Sequence, residues 1–108
     1  MIKVLGQDRP DGWDIVQEIN QLRRNMLVHS CIYYELNDNI ISDHQWTYMA
    51  KRLARIQKRA FEAIGPFETG VYDEAFKDWD GSTGHHLPLQ DLWVMVKARQ
   101  LLGMEKRK

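Results

Sequence analysis

Apolar residues recur at three- and four-residue intervals through most of the chain, and the breaks between runs are sharp. From Gly12 onward, Ile15, Ile19, Leu22, Met26 and Tyr33 fall along one face of a helix, with Gln17, Glu18, Gln21, Arg24 and Asn25 opposite. Asp11 is placed to cap this helix, Trp13 to pack at its start, and the pattern runs to about Leu36. Asn37, Asp38 and Asn39 break it. A second stripe, Trp46, Met49, Ala50, Leu53, Ile56, Ala60 and Ile64, begins behind Ser42 and stops at Gly65–Pro66. Ser42 and Gln45 have the spacing of a capping box, so the second helix is expected to start at Asp43. Two apolar stripes joined by so short a turn predict an antiparallel hairpin. Tyr33 and Tyr34 then lie near the end of one arm, and Asp43, His44, Trp46 and Thr47 in the first turn of the other.

On either side of the hairpin the patterns are shorter. Met1 to Asp11 carries Gly6 and Pro10 without a helical period and reads as a loose arm, with a short edge strand as the other reading. After Phe67 the glycines 70, 81 and 84 punctuate the chain, yet Tyr72, Ala75, Phe76 and Trp79 stand at i, i+3, i+4 and i+7 and predict a short helix. Asp80 to Gly84 reads as a tight turn. Pro88 is suited to a first helical turn, and Leu89, Leu92, Trp93, Val96 and Leu101 predict a final helix closed by Gly103, with Met104 to Lys108 as a basic tail. The expectation is one all-α domain over residues 1–108, a central antiparallel helical hairpin covered by a short helix and a C-terminal helix.

Composition narrows the function classes. A content of 44% hydrophobic and 28% charged residues excludes a disordered or fibrous chain, and a formal net charge of zero means that any electrostatic recognition must be local. Cys31 is alone, which rules out an intramolecular disulfide and fits a reducing cytoplasm. The first six residues are too short for a signal sequence, and no run approaches the ~20 apolar residues of a membrane span. A soluble, cytoplasmic protein without a membrane partner is expected.

Three constellations carry candidate chemistry. At the hairpin corner, tyrosine hydroxyls can bond phosphate, the Trp46 face can lie against a cationic ring, and Asp43 can balance its charge. The plainer reading is that Asp43 answers a helix dipole and the aromatics are core. Lys51, Arg52, Arg55, Lys58 and Arg59 form a cationic face on the second helix, suited to a phosphate backbone or to simple solvation. The downstream carboxylates Glu62, Glu68, Asp73, Glu74, Asp78 and Asp80 stand ready to answer those cations within the protein. His85 and His86, with Asp78, Asp80 and Asp91 nearby, lack the convergent spacing of metal ligands, so no metal is expected. No phosphate-binding glycine loop, nucleophile elbow or zinc-protease motif occurs.

The paired tyrosines, the acidic and Asn turn, the isoleucines, and Ser42-Asp43 followed at Trp46 by an aromatic and a long helix ending in Leu53, Ile56 and Gln57 resemble the N-terminal domain of bacterial NAD-dependent DNA ligases. The resemblance covers residues 20–57. It implies a domain that grips the nicotinamide mononucleotide half of NAD, with Tyr33, Tyr34 and Asp43 matching family positions, Trp46 standing where the family has Tyr, and Thr47 where it has a second Asp. The ligase adenylation motif Lys-x-Asp-Gly is not matched, because Lys77-Asp78-Trp79-Asp80-Gly81 has one residue too many. Free-standing relatives of this domain in phage and prophage genomes are what the resemblance would imply. The resemblance thus implies a non-catalytic nucleotide-binding or accessory module of phage DNA metabolism, in the cytoplasm of a bacterial host, whose partner is a small nucleotide or a protein of DNA metabolism. The alternative is an interaction module that keeps the hairpin as scaffold and meets a protein, or DNA weakly, through the cationic face.

Overall fold

The computed structural model describes residues 3–4, 13–77 and 79–106. The expectations for an Asp11 cap, the packing of Trp13, most of the arm, Asp78 and the last two residues lie outside what is described. The elements in chain order are β1 (Lys3–Val4), α1 (Trp13–Tyr34), α2 (Asp43–Ile64), β2 (Phe67–Glu68), α3 (Asp73–Phe76) and α4 (Leu92–Lys106). The fold is all-α, with one correction to the loose arm: Lys3–Val4 pairs in parallel with Phe67–Glu68.

The hairpin forms for the reasons its sequence suggests. The Gln45 N–H donates to Ser42 Oγ at 3.0 Å and the Ser42 N–H to Gln45 Oε1 at 2.8 Å, closing the capping box at the start of α2. At the other end Gly65 takes a φ of +79°, which a side chain would resist, and its N–H reaches the Phe61 carbonyl at 2.6 Å. The first arm stops where Asn37 turns left-handed at φ +52°, a conformation Asn tolerates, and the Asp38 N–H returns to the Ile32 carbonyl at 3.0 Å. The arms run antiparallel, Ser30 facing Trp46 and Arg23 facing Gln57.

The buried face of α1 differs from the predicted stripe. Ile15 and Tyr33 are 45% and 52% exposed, whereas Val16, Leu27, Ser30 and Cys31 join Ile19, Leu22 and Met26 in the interior. The reason is that α1 packs against α2 on one side and α4 on the other, so its buried arc is wider than a single seam requires. In α4 the correction is larger. Pro88 lies in a turn, Leu87 and Leu89 anchor that turn in the core, and the helix starts only at Leu92, which is 78% exposed. Val94 and Ala98 are the fully buried positions, while Trp93 and Val96 face outward. Gly103 does not close α4, which continues to Lys106; one glycine in an end turn costs only about 1 kcal/mol.

One interior feature has no counterpart in the apolar pattern. Arg23 is 2% exposed, its Nε donating to Gln57 Oε1 at 2.7 Å and its Nη1 to Thr69 Oγ1, the Val71 carbonyl and Asp73 Oδ1 at 3.0, 2.8 and 2.8 Å. Burial pushes the guanidinium below its ordinary pKa, and the bond and charge of Asp73 oppose that shift. Burial alone would raise the Asp73 carboxyl, but the N–H groups of Thr69 and Gly70 together with Arg23 hold it below its ordinary value. This ion pair ties the β2–α3 connection to both arms of the hairpin.

Candidate functional site

The corner of the hairpin is hollow. Tyr33 and Tyr34 from the end of α1, the connection around Ile40 and Ile41, and Asp43, Trp46 and Thr47 from the first turns of α2 enclose a pocket of about 200 Å³. All five residues singled out at this corner line it, and it is open: Tyr33, Tyr34, Asp43 and Thr47 are exposed and no part of α4 lies among its lining residues. The two tyrosine rings stand edge to face, centroids 4.9 Å apart at 82°. Trp46 is half-buried, its indole N–H donating to Ser30 Oγ at 3.1 Å and its ring meeting Trp79 edge to face at 6.4 Å. The ring is thereby fixed before any ligand arrives, at no cost in rotamer freedom on binding.

The far wall comes from a loop that the apolar pattern left as a turn. Asp80 accepts bonds from the N–H and hydroxyl of Ser82 at 2.9 and 2.7 Å, and the Trp79 indole donates to the Thr83 carbonyl at 2.7 Å. Two glycines let this loop lie on the hairpin. A Cβ on Gly81, whose φ is +82°, would come within 2.8 Å of the Ala50 carbonyl oxygen; one on Gly84 would come within 2.5 Å of Ser30 Oγ and 3.1 Å of the Trp46 ring. That close approach brings Ser82 into the pocket.

His29 and Ser82 are pocket residues that the sequence reading missed. For His29 a signal existed, since it sits one helical turn before Tyr33 and so on the same face. Its Nδ1 is buried without a hydrogen-bond partner among the described residues, and burial lowers the ring pKa, which favours the neutral form. Ser82 had no such signal, because its place depends on a loop folding back over the hairpin.

The pocket combines one carboxylate, several hydroxyls and a fixed aromatic wall. Such a set suits a flat ring bearing positive charge with hydroxylated groups attached, and its volume admits a ring and part of a sugar, below the ~300–1,000 Å³ of sites that enclose whole ligands.

The other candidates lie elsewhere. Lys51, Arg55, Lys58 and Arg59 are exposed on the outer face of α2 and do not line the pocket, while Arg52 is engaged by Glu18. His85 and His86 meet edge to face at 5.5 Å, and Asp91 accepts the Tyr72 hydroxyl at 2.7 Å, an arrangement whose burial and bond push that phenol up to about 12. Among the described residues no three His, Cys, Asp or Glu side chains converge as metal ligands would, and no helix is long and apolar enough to cross a membrane.

No protein-family profile matches the chain, and no solved structure matches it. Curated relatives do. The DNA ligases of Thermotoga neapolitana, Thermotoga petrophila and Thermotoga maritima are each 24% identical to it over 99 residues, a match that covers 87% of this chain and 14% of each ligase. The chain therefore spans about one-seventh of the length of these relatives, and its distant similarity is to a segment of a DNA ligase.

Proposed function

We propose that the hairpin corner binds the nicotinamide nucleotide portion of NAD, and that the chain serves as a non-catalytic nucleotide-binding module of DNA metabolism, of the kind found in phage, in a bacterial cytoplasm. The observation that supports this reading is the convergence on one open pocket of residues from the end of α1, the start of α2 and the loop at Ser82. In this reading Trp46 supplies the wall for the ring, Asp43 the countercharge to the pyridinium, and the tyrosine, Thr47 and Ser82 hydroxyls the partners for ribose and phosphate oxygens. The resemblance of Tyr33, Tyr34 and Asp43 to positions of the ligase N-terminal domain adds weight.

The test exploits charge at two exposed positions, where substitution leaves the core untouched. Asp43→Asn should weaken binding of nicotinamide mononucleotide. Thr47→Asp should strengthen it, because a second nearby carboxylate contributes on the order of 1 kcal/mol at a partly exposed site, or about fivefold in affinity. Trp46→Ala should also weaken it, but with some loss of stability, since the ring bonds Ser30 and packs on Trp79. Calorimetric titrations in which Asp43→Asn and Thr47→Asp both match the unaltered protein would remove the countercharge from the account.

A further inference from the structure

The outer face of α2 carries cations that the fold leaves unanswered. Lys51, Arg55, Lys58 and Arg59 are exposed, and among the described residues none has a carboxylate within 4.0 Å. Among the described residues no carboxylate of the acidic segment comes within 4.0 Å of them, although Glu62 stands on the same helix face one turn beyond Lys58. Asp73 is held by Arg23, Glu74 stands 3.9 Å from Lys77, and Asp80 accepts both bonds from Ser82. Arg52, the fifth basic residue of the run, is taken by Glu18 at the edge of the ribbon.

Aromatic rings flank the cations. Tyr48, 58% exposed, shares the helix face of Lys51 and Arg55, and Phe61, 55% exposed, lies one turn beyond Lys58. Rings so exposed contribute nothing to the core. From Lys51 to Arg59 the helix rises about 12 Å, room for about three phosphates of one strand.

We propose that this face binds single-stranded nucleic acid without sequence preference, the cations tracking phosphates and Tyr48 stacking on an unpaired base. The choice of single strand over duplex follows from Tyr48, because only unpaired bases offer their faces to an aromatic side chain. The ribbon shares no residue with the pocket, so the two sites are independent in their tests.

Fluorescence anisotropy of the intact protein with a labelled oligothymidylate about 20 nucleotides long decides the matter. At about 20 mM salt the unaltered protein should bind, with a log–log salt slope of about −2 from three neutralised phosphates. Arg55→Glu with Lys58→Glu should weaken binding at least about tenfold, and Tyr48→Ala should weaken it for the single strand more than for a duplex of equal length. A control pair, Lys77→Glu with Lys97→Glu, makes the same change in net charge elsewhere on the surface and should leave binding within about twofold. No anisotropy change at low salt, an equal loss in the control pair, or a preference for duplex would each overturn the proposal.

Discussion

Arg23→Leu is expected to be among the most destabilising single substitutions in this protein, costing about 3–5 kcal/mol, because it removes a buried guanidinium from its ion pair with half-buried Asp73 and strands the buried acceptors it bonds. The leucine would fill part of the space but would orphan Gln57 Oε1 and the Val71 carbonyl and leave Asp73, still held by the Thr69 and Gly70 N–H groups, without its countercharge. The measurement is denaturant titration of the variant, followed by the double variant with Asp73→Leu. If the loss comes from a stranded carboxylate, the second change should recover part of it. A single-variant loss below about 1 kcal/mol would mean that water replaces the guanidinium and that the pair is not the tie between the hairpin and the β2–α3 connection.

Leu53→Ala should cost about 2–5 kcal/mol. Leu53 is fully buried in α2 and belongs to the same core as Ile19, Met26, Ile56 and Phe76, so its truncation leaves a cavity that neighbours on several elements would have to collapse to fill. Denaturant titration again reads the effect. A loss below about half a kcal/mol would place Leu53 outside the seam and defeat the hairpin packing.

Much of the fold was legible in the sequence because its signals are local. The capping box at Ser42 and Gln45, the break at Asn37 and the stop at Gly65 each depend on a few adjacent residues, and the second helix begins and ends where they put it. The first helix was legible in extent and misread in face, since the arc it buries depends on α4, a partner distant in sequence. Arg23 shows the same limit. Beside Arg24, which is exposed, nothing in the local pattern marks it as the buried one, and its partners Gln57, Thr69 and Asp73 arrive from far along the chain. At α4 the apolar residues outnumber the buried positions, so periodicity chose Leu92 and Val96 where the core takes Val94 and Ala98.

The candidate site divides in the same way. Tyr33, Tyr34, Asp43 and Trp46 were legible because both helix ends meet at a short turn, Thr47 was added by the family resemblance, and the structure places all five around one pocket. Ser82 escaped notice because its position rests on Gly81 and Gly84 allowing a loop to touch Ala50, Ser30 and Trp46, a tertiary contact with no sequence periodicity.

The central claim, that the pocket holds an oxidised nicotinamide ring, is tested most directly by calorimetric titration of the unaltered protein with NAD, NADH and nicotinamide mononucleotide. The account predicts saturable binding of the mononucleotide with a dissociation constant of about 1 mM or tighter, and weaker binding of NADH than of NAD, because the reduced ring carries no positive charge for Asp43 to balance. Absence of binding by either oxidised ligand at millimolar concentration, in the unaltered protein and in Thr47→Asp alike, would contradict it.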